Sequence, residues 1–231
     1  MSQEIGFPVA DWHTPKFPPH EILEGHFCRL EPLNIKHVED LHKSNHSSSY
    51  ESLWTYLPYG PFKDVHEYET WIEGASKSID PQFYAIIDTN KNLAVGVISY
   101  LRVSPESGSA EVGHLCFSSL LQKTPAATEA VYLMIKNVFD LGYRRCEWKC
   151  DALNANSMRS AKRLGFTFEG IFRQATIVKG RNRDTAWFSI LDKEWPELDK
   201  GYRSWLSQSN FDSAGIQKSR LQDFFLPTAS Q

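Results

Sequence analysis

The sequence predicts a mixed α/β domain of the α+β kind, a central, mostly antiparallel twisted sheet flanked by helices. Three observations carry that prediction. Short runs that alternate apolar and polar residues follow one another from Phe83 to Phe117 with only turn residues between them, the mark of neighbouring antiparallel strands. The segment from Pro125 to Leu141 repeats its apolar residues at helical spacing. A strand, a short helix and a hairpin follow it, an order that excludes an evenly alternating, doubly wound parallel sheet.

Residues 1–25 are rich in Pro and aromatics (Phe7, Pro8, Trp12, Phe17, Pro18) and read as an extended arm. Residues 26–196 read as one domain, and 197–231 as a C-terminal helix with a polar tail. Within the domain, Phe27–Leu33 alternates as a first strand, and Asn34 suits the N-cap of a helix carrying Ile35, Val38 and Leu41. Leu53–Pro61 is aromatic and turn-rich. A helix from Val65 to Ser78 follows, with Tyr68, Trp71, Ile72 and Ala75 on one face. Phe83–Ile87 and Val95–Arg102 are strands joined across Asp88–Asn92, and Ala110–Phe117 is a third after a turn at Glu106–Ser109.

The long helix has the clearest ends. Thr124 is a good N-cap, Pro125 occupies the first helical position where its missing N–H costs nothing, and Gly142 suits the left-handed residue that ends a helix. Arg144–Cys150 then places Cys146, Trp148 and Cys150 on one strand face, Asn154–Leu164 is a short helix stopped by Gly165, and Phe166–Val178 with Thr185–Leu191 forms a hairpin around Lys179–Asp184. Trp195 and Pro196 close the domain, and Leu198–Leu206 is a last helix.

Composition narrows the function classes. At 231 residues, 41% hydrophobic and 23% charged, the chain suits one soluble domain with extensions. A net charge of −3 gives no global field for nucleic acid, and no apolar run is long enough to span a bilayer. Met1–Phe17 lacks the basic-then-apolar pattern of a secretory signal. Cys28, Cys116, Cys146 and Cys150 contain no Cys-x-x-Cys pair and read as free core thiols of a reducing compartment, the cytoplasm with the nucleus as a further location. No metal site is expected: His42 and His46 have ligand spacing, with Glu39 one turn earlier, but they read better as a solvent face. Neither a Gly-x-Ser-x-Gly elbow, a Walker loop nor a His-Glu-x-x-His helix occurs.

One constellation carries chemistry. Strand Ala110–Phe117 runs through a loop into a helix whose first turn is small: Pro125, Ala126, Ala127, Thr128. A helix N-terminus presents unpaired N–H groups and partial positive charge, and small side chains let a phosphate approach them, so this is a pyrophosphate cradle to which Lys123 adds a formal charge. The run Gln122-Lys123-Thr124-Pro125-Ala126-Ala127 resembles motif A of the GNAT acetyltransferase superfamily, Gln/Arg-x-x-Gly-x-Gly/Ala. AEVGHLCFSSLLQ before it is similar to that superfamily's fourth strand and exit loop. DALNANSMRSAKRLGF is similar to its motif B, and TAWFSILDKEW to the last strand of the Rim-type branch, the ribosomal-protein N-terminal acetyltransferases and their small-molecule relatives. The likeness extends from about Arg29 to Trp195. Pro125 departs from the pattern by replacing its first Gly, which removes one N–H and leaves the pyrophosphate to the neighbouring ones.

The resemblance implies an acetyl-CoA-dependent N-acetyltransferase without a metal, in which an acceptor amine attacks the thioester directly in a ternary complex. Gln122, Lys123, Thr124, Ala126, Ala127 and Thr128 are then expected at the cofactor's phosphates, the backbone of Leu115, Cys116 and Phe117 at its acetyl and pantetheine end, and Asn154, Ser157 and Arg159 along its arm and 3′-phosphate. An alkyl ammonium with a pKa of about 10.4 must lose its proton first, at a cost of about 4–5 kcal/mol near pH 7. Glu111, on the strand bordering the acetyl group, is the candidate base, and Ser157 the candidate proton donor to the leaving thiolate. Regular alternation puts His114 on the face opposite Glu111; it is a second candidate at the acceptor end, with Trp54, Tyr56 and Tyr59 forming an apolar or cation-binding wall. Arg181 and Arg183 are placed in the hairpin turn beside the same cleft. Three acceptor readings remain open: a small-molecule primary amine, favoured by a closed aromatic pocket; a protein N-terminus, favoured by an open groove between Leu53–Phe62 and Lys179–Arg183; and a non-catalytic acyl-CoA-binding regulatory module. The last hairpin and C-terminal helix are candidate homodimer surfaces.

Overall fold

A computed structural model describes residues 3–46 and 50–225. In chain order its strands are β1 (Leu23–Glu24), β2 (Cys28–Pro32), β3 (Gln82–Asp88), β4 (Leu93–Ser104), β5 (Ser109–Phe117), β6 (Arg145–Asp151), β7 (Thr167–Val178) and β8 (Arg181–Leu191). The helices are α1 (Val38–Asn45), α2 (Tyr50–Leu53), α3 (Val65–Ser76), α4 (Pro125–Asp140), α5 (Ala155–Arg163) and α6 (Trp195–Leu206). The strands form one eight-stranded sheet in the order β1-β2-β3-β4-β5-β6-β8-β7. Every neighbouring pair is antiparallel except β5 and β6, which run parallel through only Ser109↔Arg145, Ala110↔Cys146 and Glu111↔Glu147. Beyond Glu111 the two strands part.

Each face of the sheet has its own core. Alternation sends Tyr84, Ile86, Val112, Trp148 and Phe188 toward α4, where Ala130, Val131, Met134, Ile135 and Val138 fill the other side. Each such aliphatic side chain contributes roughly 1.5–3 kcal/mol of burial. The opposite residues, among them Phe83, Ala85, Val97 and Cys116, pack against Leu41 of α1, Tyr68 and Ile72 of α3, and Trp54. All four cysteines are free and buried in these cores.

Local chemistry sets the element ends. Asn34 does cap, but it caps a 3₁₀ turn (Ile35–His37) that leads into α1: its side chain accepts from the Lys36 N–H, and the His37 Nδ1 accepts from the Asn34 N–H. Asp64 caps α3, Thr124 caps α4 with Pro125 in its first turn, and Asn154 caps α5. Gly142 and Gly165, both at φ +90, end α4 and α5. The β7–β8 turn is tighter than the Lys179–Asp184 stretch read from polarity. Lys179 and Gly180 are both left-handed (φ 48 and 72), as a two-residue hairpin turn requires, so Arg181 to Asp184 belong to β8. The last helix starts at Trp195, earlier than the Leu198 expected, because Pro196 sits in its first turn, where proline is tolerated.

The N-terminal segment is tied along β3 and the β4–β5 turn. Gln82 and Tyr84 donate to the carbonyls of Pro18 and Pro19 (3.0 and 3.1 Å), Tyr143 donates to Lys16 (3.1 Å), and the Trp12 ring lies where a Cβ on Gly108 would stand. The buried Glu129 of α4 accepts from three backbone N–H groups of the β1–β2 turn, His26, Phe27 and Cys28, at 2.6–2.8 Å. The Cys28 donor is buried and has no water to turn to. Replacing Glu129 by Ala should lower the unfolding free energy by about 2–4 kcal/mol; a loss below 0.5 kcal/mol in denaturant titration, roughly the level of a neutral surface change, would contradict this clasp.

Candidate active site

The chemistry-bearing residues gather where β5 and β6 part. On β5, Ala110 and Val112 face α4, but beyond them Leu115 and Phe117 do. The phase changes at His114, whose backbone is left-handed (φ 51) and where Gly113–Cys116 of β5 spans only Ser99–Val97 of β4. This β-bulge turns His114 onto the face that Glu111 shares, correcting the opposite-face placement that regular alternation predicts. The imidazole stacks on Tyr59 (centroids 5.5 Å apart, planes at 6°) and meets the edge of Phe83 (5.2 Å). Tyr59 in turn lies on Trp71 (4.4 Å). Burial first, and then the charges of Arg102 and Arg183, push His114 down to about 4, so the ring is neutral near pH 7. Its Nδ1 and the Tyr59 hydroxyl are both buried with no hydrogen-bond partner. Burial also holds the Tyr59 phenol well above its usual range.

Glu111 is 2% exposed and lies at the last paired position before the split. Arg102 of β4 grips its two oxygens through Nε and a terminal nitrogen (both 2.8 Å), and Lys149 of β6 approaches one of them at 3.0 Å. Lys149 also binds Glu147 (2.7 Å) and sits 3.7 Å above the Trp187 ring. Every oxygen of Glu111 is therefore engaged by a cation from a neighbouring strand. The spacing of Arg145, Glu147 and Lys149, opposite the apolar Cys146, Trp148 and Cys150, already marks a charged strand face; what the sequence does not disclose is that Glu111 meets it.

On the α4 side the helix N-terminus is partly self-satisfied. The Thr124 hydroxyl accepts from the Ala127 N–H (3.3 Å), and Pro125 has none to give; the Ala126 N–H, in the first turn, has no carbonyl within the helix to meet. Gln122 donates its side chain to the Phe117 carbonyl (2.7 Å), and Lys123 is exposed with a left-handed backbone (φ 61). Thr128 is buried and accepts from Arg163 of α5 (3.0 Å). Asn154 Oδ1 accepts from the Ser157 N–H (3.0 Å), and the Ser157 hydroxyl accepts from the Trp148 indole (3.0 Å). Burial raises the thiol of Cys150, on the same strand as Trp148. Arg159 is exposed and bonds Asn156 on its own helix. Leu115 and Phe117 are partly buried toward α4, and Cys116 is fully buried on the other face, where burial raises its thiol.

The acceptor-side aromatics divide. Tyr59 joins His114, whereas Trp54 lies behind it in the core against Phe62 and Tyr68. Tyr56 reaches away, its hydroxyl donating to the Leu153 carbonyl just before α5 (3.1 Å). The Lys179 ammonium, at the β7–β8 turn, donates to the Trp54 carbonyl (2.8 Å). These two bonds join the Leu53–Phe62 loop to both the α5 entrance and the hairpin tip.

The arrangement suits acetyl-CoA. Val112–Phe117 has a backbone edge without a β6 partner for an amide-bearing arm, and the α4 N-terminus stands at the end of that strand with small residues and a cation. A model of the acetyltransferase (GNAT) domain matches residues 28–167. The chain belongs to the GNAT acetyltransferase family. The acetyltransferase is similar to the GCN5-related N-acetyltransferase from Brucella melitensis, at 47% identity and TM-score 0.91 over 94% of this chain and 99% of that one. It is also similar to the uncharacterized N-acetyltransferase p20 of Bacillus licheniformis, at 29% identity over 61% of this chain and 80% of that protein. The Salmonella typhimurium acetyl transferase that modifies the N-terminal serine of ribosomal protein L7/L12 shares the fold, at 22% identity and TM-score 0.63 over 74% of this chain and 99% of that one. Acetyl-CoA is the cosubstrate of this family and supplies the thioester-activated acetyl group. Among the described residues, no helix is long and apolar enough to cross a membrane.

The depressed His114 has a consequence for stability. Its imidazole titrates near 6.5 when unfolded and near 4 when folded, so the unfolded chain binds the extra proton between those values, and stability falls as pH drops from 6.5 toward 4. His37 and His42, lowered by burial, act in the same direction and remain in a His114 variant. His114→Asn should therefore flatten, without abolishing, the decline of Tm between pH 6.5 and 4; an unchanged slope in thermal unfolding would contradict the placement.

Proposed function

We propose that this acetyltransferase transfers acetyl from acetyl-CoA to a primary amine of a small molecule, by direct attack within a ternary complex. The observation that carries the small-molecule reading is the Lys179–Trp54 hydrogen bond (2.8 Å). A peptide lying across the site needs the space between the Leu53–Phe62 loop and the hairpin tip, and that bond spans it. The Tyr56–Leu153 bond restricts the same space from the α5 side.

In this reading the N–H groups around Pro125, with Gln122, Lys123, Ala126 and Ala127, hold the pyrophosphate. Asn154 presents its side-chain amide to the pantetheine arm while capping α5. The acceptor enters between Tyr59 and β5, where the neutral His114 accepts a hydrogen bond from its amine and orients the nitrogen toward the thioester, adding no positive charge beside it. The C–N bond forms as the C–S bond breaks, and Ser157 gives its proton to the departing sulfur. The Ser157 hydroxyl is oriented for that by accepting from Trp148, which leaves its own hydrogen to donate. The amine's proton leaves through water past His114, not onto Glu111, whose oxygens Arg102 and Lys149 occupy. Glu111 is a positioning residue in this account.

Incubating the protein with acetyl-CoA and a panel of small amines and peptides, with thiol release as the readout, tests the function. Turnover of small amines at least about tenfold above any peptide in kcat/KM is expected. A peptide preference would favour N-terminal acetylation, and CoA binding without release from any amine would favour a regulatory module. Glu111→Gln should lower stability by about 2–3 kcal/mol, because two cations lose a buried partner, and leave the acid limb of the pH–rate profile where it was. A displaced acid limb would return the base role to Glu111.

A further inference from the structure

Among the described residues, the buried polar atoms without a partner on the acceptor side of the sheet include Tyr59 Oη, His114 Nδ1, Arg183 Nε and Trp187 Nε1. The last two can only donate. Register puts them on one face of the sheet. On β8 the even residues Ala186, Phe188 and Ile190 enter the α4 core, so Arg183 and Trp187 face the other way. Trp187 lies under Lys149, which binds Glu111, and the charge of Arg183 acts on His114. The sheet separates this group from the core that α4 packs on, so the pyrophosphate cradle does not supply its anion.

Charge pairing singles out Arg183. Arg102 on β4 and Arg145 and Lys149 on β6 each hold a carboxylate, and together they saturate Glu111 and Glu147. Asp80 is turned to the N–H groups of Arg102 and Val103, and Asp184 to the Gln174 N–H and Asn182. Among the described residues, no carboxylate lies within 4.0 Å of the Arg183 guanidinium. A half-buried cation with an unsatisfied Nε–H, on the same strand face as an indole N–H that is also unsatisfied, is a receptor for an anionic oxygen.

Resting on the acetyl-transfer reading above, we propose that the acceptor is an amine that also carries a carboxylate, an amino acid or a close analogue, and that Arg183 with Trp187 sets this specificity. The carboxylate docks on the Arg183 guanidinium and the Trp187 N–H. The amine lies toward His114, and Tyr59 closes over the pair.

Two measurements test this separately from catalysis. In the first, the protein saturated with CoA is titrated with N-acetylglycine and with its primary amide, followed calorimetrically. The carboxylate should bind about tenfold or more tighter, and Arg183→Gln should erase the difference while Arg183→Lys restores part of it. Equal binding of acid and amide to the unaltered protein would overturn the proposal, whether or not the protein turns over. In the second, thiol release is compared for amino acids and their amides. Arg183→Gln should raise KM for the acids with kcat less affected and leave the amides unmoved. An equal loss on both series would assign Arg183 a structural role and overturn the proposal, whereas absence of release from every amine would defeat the acetyl-transfer reading and leave the titration to decide the anion site.

Discussion

The sheet depends on how its two halves are joined. Strands β1–β5 and β6–β8 meet through three parallel residue pairs, and Glu111 occupies the last of them. Its carboxylate binds Arg102 on one neighbour and Lys149 on the other, so a single buried charge crosses from β4 to β6 where backbone pairing ends. A buried carboxylate is tolerated only because both oxygens meet cations. The same arrangement makes Glu111 a clamp: it holds the strands together up to the point at which they must separate.

What the separation creates differs on the two sides. Toward α4, β5 presents a free edge leading to a helix N-terminus, a place for an amide arm ending in phosphates. Toward α3, the bulge at His114 swings an imidazole under Tyr59, giving a half-apolar face with buried polar groups that lack partners. In the proposed account the strand between them lies against both substrates. The hairpin completes the enclosure, because its left-handed Lys179–Gly180 turn brings an ammonium to the Trp54 carbonyl.

Much of the fold is legible in the sequence because it is encoded locally. The N-cap at Thr124, the proline after it and the spacing of Ala130, Val131, Met134 and Ile135 suffice for α4, and the alternation of Cys146, Trp148 and Cys150 suffices for β6. The pattern around Gln122–Ala127 is likewise contiguous. Features that depend on partners distant in sequence are not legible. Strand alternation misplaces His114, because nothing local announces a bulge at a non-glycine residue. Glu111 reads as a candidate base because the partners that occupy it, Arg102 and Lys149, lie on other strands. Trp54, Tyr56 and Tyr59 look alike in a short aromatic run, yet one is core, one reaches α5 and one faces the cleft.

The central claim is that the parting of β5 from β6 beyond Glu111 seats the acetyl donor. Hydrogen–deuterium exchange with and without CoA tests it most directly. Bound cofactor should slow exchange at the amides of Val112–Phe117 and in the first turn of α4, and leave β2 and β3 unchanged. CoA binding with no added protection in Val112–Phe117 would contradict the account.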